Sequence, residues 1–112
     1  MTYNQAVNQL GNRSEKKIGN NTHLVRRNDG DVAIRLHGTD ILTFRPDGSV
    51  VVKTNGWTSV TTKARINEHL PLRGIFQKAG TWFWSLRGNE AKPIEFRELD
   101  VVTIDGEIVR GQ

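Results

Sequence analysis

The sequence predicts an α+β fold, mainly antiparallel β meander and hairpins, with a short N-terminal helix and a short central helix in one domain over residues 1–112. Three observations carry this. Short β-branched and aromatic runs recur between Asp-Gly and Asn-Gly pairs, whose positive φ preference suits tight hairpins. Tyr3, Ala6, Val7 and Leu10 fall at i, i+3, i+4 and i+7, one helical stripe. A second helical segment, with Ile66 and Leu70 four apart, stops at Pro71.

Taken in order, Thr2 is a natural cap for the first helix and Gly11 a natural stop. Residues 12–21 are polar and glycine-punctuated and read as a loop, with Lys17-Ile18 briefly extended. A four-strand meander follows over residues 22–27, 32–37, 41–45 and 49–54, with turns at Asp29-Gly30, Gly38-Thr39 and Asp47-Gly48 and an Asn55-Gly56 turn after it. Within it Val32, Ile34 and Leu36 alternate with Ala33, Arg35 and His37, as in a sheet with one wet face. The central helix is expected over about residues 62–69, capped by Thr61 or Thr62. Residues 75–78 and 81–86 flank Ala79-Gly80 as a further hairpin, and 87–93 is a polar loop. Short strands at 95–96, 101–104 and 107–109 complete the chain, the last two turning at Asp105-Gly106. Successive hairpins can roll into a small barrel or remain an open twisted sheet, and the pattern leaves both open.

Composition narrows the function. At 112 residues the chain buries about two thirds of its unfolded surface, enough for a core without staples. The absence of cysteine excludes disulfides, thiolate zinc sites and cysteine nucleophiles. The longest apolar run, Val50-Val51-Val52, is far short of a membrane span. The first residues have neither the basic start nor the apolar stretch of a secretory signal, so a soluble cytoplasmic protein with no membrane partner is expected. The net charge is +4, unevenly spread: residues 1–88 hold thirteen Lys/Arg against six Asp/Glu, and residues 89–112 three against six. The basic excess of the first part can attract an anionic partner, or simply keep the surface solvated.

The most suggestive segment is 56–67, where a strand pattern gives way to a helix start bearing Trp57, Thr61, Thr62, Lys63 and Arg65. A helix start exposes unpaired N–H groups and the positive end of the dipole, a setting for phosphate, with Trp57 available to stack a base or sugar face. The plain alternative is that every helix needs a cap; Lys63 and Arg65, two apart, also do not share one helical face. Arg35, His37, Arg45 and Lys53 on neighbouring strands offer a basic face that touches a nucleic-acid backbone without reading its sequence. His37 and Asp40 flank a tight turn and can pair as base and orienter, although turn chemistry explains them as well. Trp82 and Trp84 share one face of a strand, which marks core or, alternatively, a protein contact. His23, His37 and His69 lie far apart with no paired carboxylate pattern, so neither a metal nor a cofactor is expected.

Asn21-Thr22-His23-Leu24, Arg35-Leu36-His37-Gly38-Thr39-Asp40 and Gly56-Trp57 with Thr61-Thr62-Lys63-Ala64-Arg65-Ile66-Asn67 form a series of short motifs. In this order, as NT-x-L, RLH-x-TD and GW-x-x-x-TT-x-x-R-I-N, they resemble small, mostly uncharacterised proteins of tailed bacteriophages and prophages, over about residues 6–85. The resemblance implies expression inside an infected bacterium and carries no established reaction. The expectation is therefore a non-enzymatic phage-type protein binding nucleic acid, a nucleotide or another phosphate-bearing ligand. The alternative is a host-directed, anti-defence inhibitor that binds a host protein or sequesters a signalling nucleotide.

Overall fold

The computed structural model describes residues 1–110. Helix α1 (Tyr3–Leu10) starts on a capping box: the Thr2 hydroxyl accepts from the Gln5 N–H, and the Gln5 side chain accepts from the Thr2 N–H. Gly11 ends it with φ of 64°. Ala6 and Leu10 are its buried residues.

Ten short strands follow, with a second helix among them. Strands β1 (Glu15–Gly19), β2 (Thr22–Arg26), β3 (Val32–Leu36), β4 (Thr39–Phe44) and β5 (Val50–Val52) pair antiparallel in sequence order. Helix α2 (Val60–His69) follows β5, then β6 (Ile75–Lys78), β7 (Thr81–Trp84), β8 (Ile94–Glu95), β9 (Asp100–Val102) and β10 (Ile108–Val109). The sheet order is β1-β2-β3-β4-β5-β9-β10, with a separate three-stranded sheet β6-β7-β8. The large sheet therefore stays open: β9 returns to pair with β5, and β1 and β10 are its edges.

One hydrophobic core joins both sheets and both helices. Leu24, Ile34, Leu42 and Val52 lie opposite one another across four strands, followed by Val32, Phe44, Val50 and Val102 one row on. Ile66 of α2 and Trp82 and Trp84 of β7 close over them. Lateral pairing at the edge of the small sheet is replaced by a side chain. Asn67 donates from Nδ2 to the Ile75 carbonyl at 2.8 Å and accepts from the Ile75 N–H at 2.7 Å, imitating a strand partner and tying α2 to β6.

Three expectations are corrected. Residues 15–19 form a paired strand rather than a loop; its lysines disguise it because it is an edge, where charge is the usual device against further pairing. The central helix begins at Val60 on Ser59, whose hydroxyl accepts from the Thr62 N–H at 3.1 Å, so Thr61 and Thr62 are first-turn residues and not the cap. The wet face of β3 is drier than alternation implies: Ala33 is fully buried there, where an ion pair from Arg27 to Asp40 spans the strand.

Candidate functional site

The start of α2, the turn between β3 and β4, and the chain leaving β5 enclose a cleft of about 600 Å³. Leu36, His37, Gly38, Thr39 and Ile41 line one side, and Thr54, Trp57, Ser59, Thr61 and Thr62 the other. Each wall has a local cause. His37 occupies the left-handed region at φ 55°, which turns the chain sharply beside Gly38. Strand β4 then carries a bulge: Leu42 pairs with Ile34 but Asp40 pairs with Arg35, leaving Ile41 as the extra residue. The bulge shifts the inward phase by one, so Thr39 and Ile41 are buried together with Leu42 and Phe44, and Asp40 faces out.

The opposite wall depends on a carboxylate from far along the chain. Asn55 and Gly56 have φ of 54° and 83°, and the Trp57 N–H returns to the Thr54 carbonyl at 3.0 Å. Glu98 accepts from the Thr54 N–H at 3.0 Å, the Thr54 hydroxyl at 2.7 Å and the Asn55 N–H at 2.8 Å. A turn whose amides would otherwise attract an outside anion is thus filled by the chain's own glutamate. Trp57 projects from this turn and is 69% exposed. Beyond it, the Ser59 hydroxyl also meets the Thr62 hydroxyl at 3.0 Å. The Val60 and Thr61 amides take no acceptor among the described residues, as expected at N1 and N2 of a helix.

The structure brings four of the expected residues to this cleft: His37, Trp57, Thr61 and Thr62. The cations are held elsewhere. Arg35 donates to Glu15 at 2.9 Å and holds that carboxyl below its ordinary range; His23 lies 3.7 Å from the same carboxylate. Arg65 is anchored between the Thr22 hydroxyl and Glu68, both at 3.2 Å, while Lys63 reaches Gln77 on β6. Arg45 and Lys53 form no ion pair among the described residues, yet neither lines the cleft. The lining therefore carries no Lys, Arg, Asp or Glu side chain, and the cationic receptor expected at the helix start is not assembled.

Two further placements differ from expectation. Both Asp40 oxygens accept from Arg27, at 2.9 and 2.7 Å, so Asp40 is committed to an ion pair rather than to His37; the same contact raises the Arg27 pKa. Trp82 and Trp84 are 5% and 0% exposed and belong to the core, which removes them as a protein contact surface. Among the described residues no group of three His, Asp or Glu side chains converges as a metal site needs. Thr39, Thr54 and Ser59 are site residues the sequence did not single out as binding groups. The only signal was the sequence Arg35 to Asp40 itself, since the bulge that turns Thr39 inward leaves no trace in composition.

No helix is long and apolar enough to cross a membrane, among the described residues. No curated protein and no solved structure matches the chain. The family model described as "Kyanoviridae Gp96 protein" matches residues 2–108, nearly the whole chain. The likeness to phage proteins read from the sequence holds at that level, and the chain belongs to the Kyanoviridae Gp96 protein family.

Proposed function

We propose that this phage protein is a non-enzymatic binding domain of the host cytoplasm that holds one nucleotide unit, free or part of a nucleic acid, in the cleft at the start of α2. The observation that carries the reading is the convergence of His37, Trp57, Thr61 and Thr62 around one concavity of about 600 Å³, a size that suits a small ligand. The exposed Trp57 ring offers a stacking surface worth about 1–3 kcal/mol to a base. The Val60 and Thr61 amides and the Thr61 hydroxyl offer hydrogen bonds to phosphate at the positive end of the helix dipole. His37 is the one titratable side chain in the lining and has no acid or nucleophile bonded to it, which favours binding over catalysis.

Because no lysine or arginine lines the cleft, a long backbone track is disfavoured against a single nucleotide. This supports the sequestering form of the host-directed reading, capture of a free nucleotide, over occlusion of a host protein by Trp82 and Trp84. Fluorescence titration with AMP, GMP, CMP and UMP tests the reading. Binding should quench Trp57, disappear in Trp57→Ala, and weaken only several-fold between low and moderate salt, as for about one phosphate contact. Failure of all four nucleotides to bind overturns it. So does a steep salt dependence that Arg45→Ala and Lys53→Ala together abolish, which would move the site to the sheet face.

A further inference from the structure

We infer that Thr39 is the group that reads the polar edge of the base inside this cleft, an inference that rests on the nucleotide reading above. Thr39 is 8% exposed and lines the cleft. Its hydroxyl makes no hydrogen bond with any described residue. It also retains contact with the cleft space, since Asp100 Oδ1, in the core, is the one fully buried side-chain oxygen without a partner among the described residues. A hydroxyl so nearly enclosed is costly to leave unpaired, and the surroundings give it nothing else to bond.

The neighbouring hydroxyls are already engaged. Thr54 donates to Glu98 and accepts from the Gly56 N–H at 3.1 Å, while Ser59 and Thr62 bond each other. Flanking Thr39 are the apolar side chains of Leu36 and Ile41. The part of a ligand that enters here must therefore be flat enough to stack on Trp57, carry no formal charge, and present at least one hydrogen-bonding atom. A heterocyclic base satisfies all three conditions, and its charged phosphate stays at the α2 start. A hydroxyl both donates and accepts, so Thr39 selects a polar-edged ring over an apolar one without choosing among the bases.

The test compares wild type, Thr39→Val and Thr39→Ser, with AMP, GMP, CMP, UMP and ribose 5-phosphate as probes. Valine matches threonine in shape and suits a strand, so the fold should persist, checked by thermal melting. Thr39→Val should weaken all four nucleotides about ten-fold and leave ribose 5-phosphate unchanged, while Thr39→Ser should bind within about two-fold of wild type. If Thr39→Val binds nucleotides as wild type does, Thr39 is idle and this inference falls while the nucleotide reading stands. If wild type binds ribose 5-phosphate and the nucleotides equally, the base is not held in the cleft and the inference also falls. If wild type binds no nucleotide, both fall together. Should Thr39→Val fail to fold, Thr39→Ala decides by the same criteria.

Discussion

Trp57 and Trp84 carry the same ring into opposite surroundings. Trp84 is fully buried on β7, donates from Nε1 to Asp100 at 2.9 Å and meets the Phe96 ring edge-on at 5.7 Å between centroids. Asp100 is buried as well, and its Oδ2 accepts from the Arg97 N–H at 2.9 Å and from Arg110 at 2.6 Å. Every polar group of that tryptophan is satisfied inside the protein. Trp57 stands on a turn pinned by Glu98, exposed beside a cleft in which Thr39 has no protein partner. One end of the molecule is complete without a ligand, and the other has stacking surface and hydrogen-bonding capacity left over. That difference, more than the net positive charge, marks the functional end.

The comparison breaks most sharply on stability. Trp84→Ala should cost about 3–5 kcal/mol, from lost burial and the stranded Asp100, whereas Trp57→Ala should stay within about 0.5 kcal/mol. Chemical denaturation of both variants measures this; comparable losses would mean that Trp57 is structural and the contrast false. Next in size is the support of the turn. Glu98→Gln keeps the shape but removes the charge that Thr54 and Asn55 bond, so Trp57 should move more freely and nucleotide affinity should fall several-fold. Time-resolved anisotropy, with the Trp57→Phe signal subtracted, reads the mobility without any ligand, and unchanged anisotropy would show that the turn holds itself.

The smallest effect concerns pH. His69, in the last turn of α2, has its pKa lowered from the ordinary 6.5, mainly by burial and against the opposing pull of Glu68. The folded chain thus takes up that proton less readily than the unfolded chain. Its contribution to stability is complete above about pH 6.5 and is lost as pH falls through the folded pKa. Glu15 and Glu90, held low by hydrogen bonds from Arg35 and Arg73, lose their contributions in a separate window, below the usual carboxylate range. His69→Gln should flatten the mild loss between about pH 6.5 and 5 while leaving the acid limb intact. A melting curve series unchanged by that substitution would place the early loss elsewhere.

Much of the fold was legible in short stretches. The capped helix at Thr2–Leu10, the meander from Thr22 to Val52 and the hairpin around Ala79-Gly80 each follow from periodicity and turn chemistry over fewer than a dozen neighbouring residues or one repeated pattern. β1 was missed because edge strands carry the charge that loops carry. The helix start was displaced by two residues because Ser59, Thr61 and Thr62 are all competent caps, and packing of Thr62 into the core chose among them. In the site, His37, Trp57, Thr61 and Thr62 were legible as residue types near turns. Thr39 was not, since its direction depends on one extra residue in β4, nor was Glu98, which acts on Thr54 from 44 residues away.

The sequence by itself determined the α+β class, the hairpin succession, the burial of the Trp82–Trp84 face and the absence of thiol chemistry, because these depend on local backbone preference and residue type. Only the tertiary structure decided that β9 returns beside β5, that the large sheet stays open, and that Arg35 and Arg65 answer to Glu15 and Glu68 rather than to a ligand. Charge pairing, bulge phase and cleft formation depend on contacts between segments distant in the chain, and such distances are set by packing.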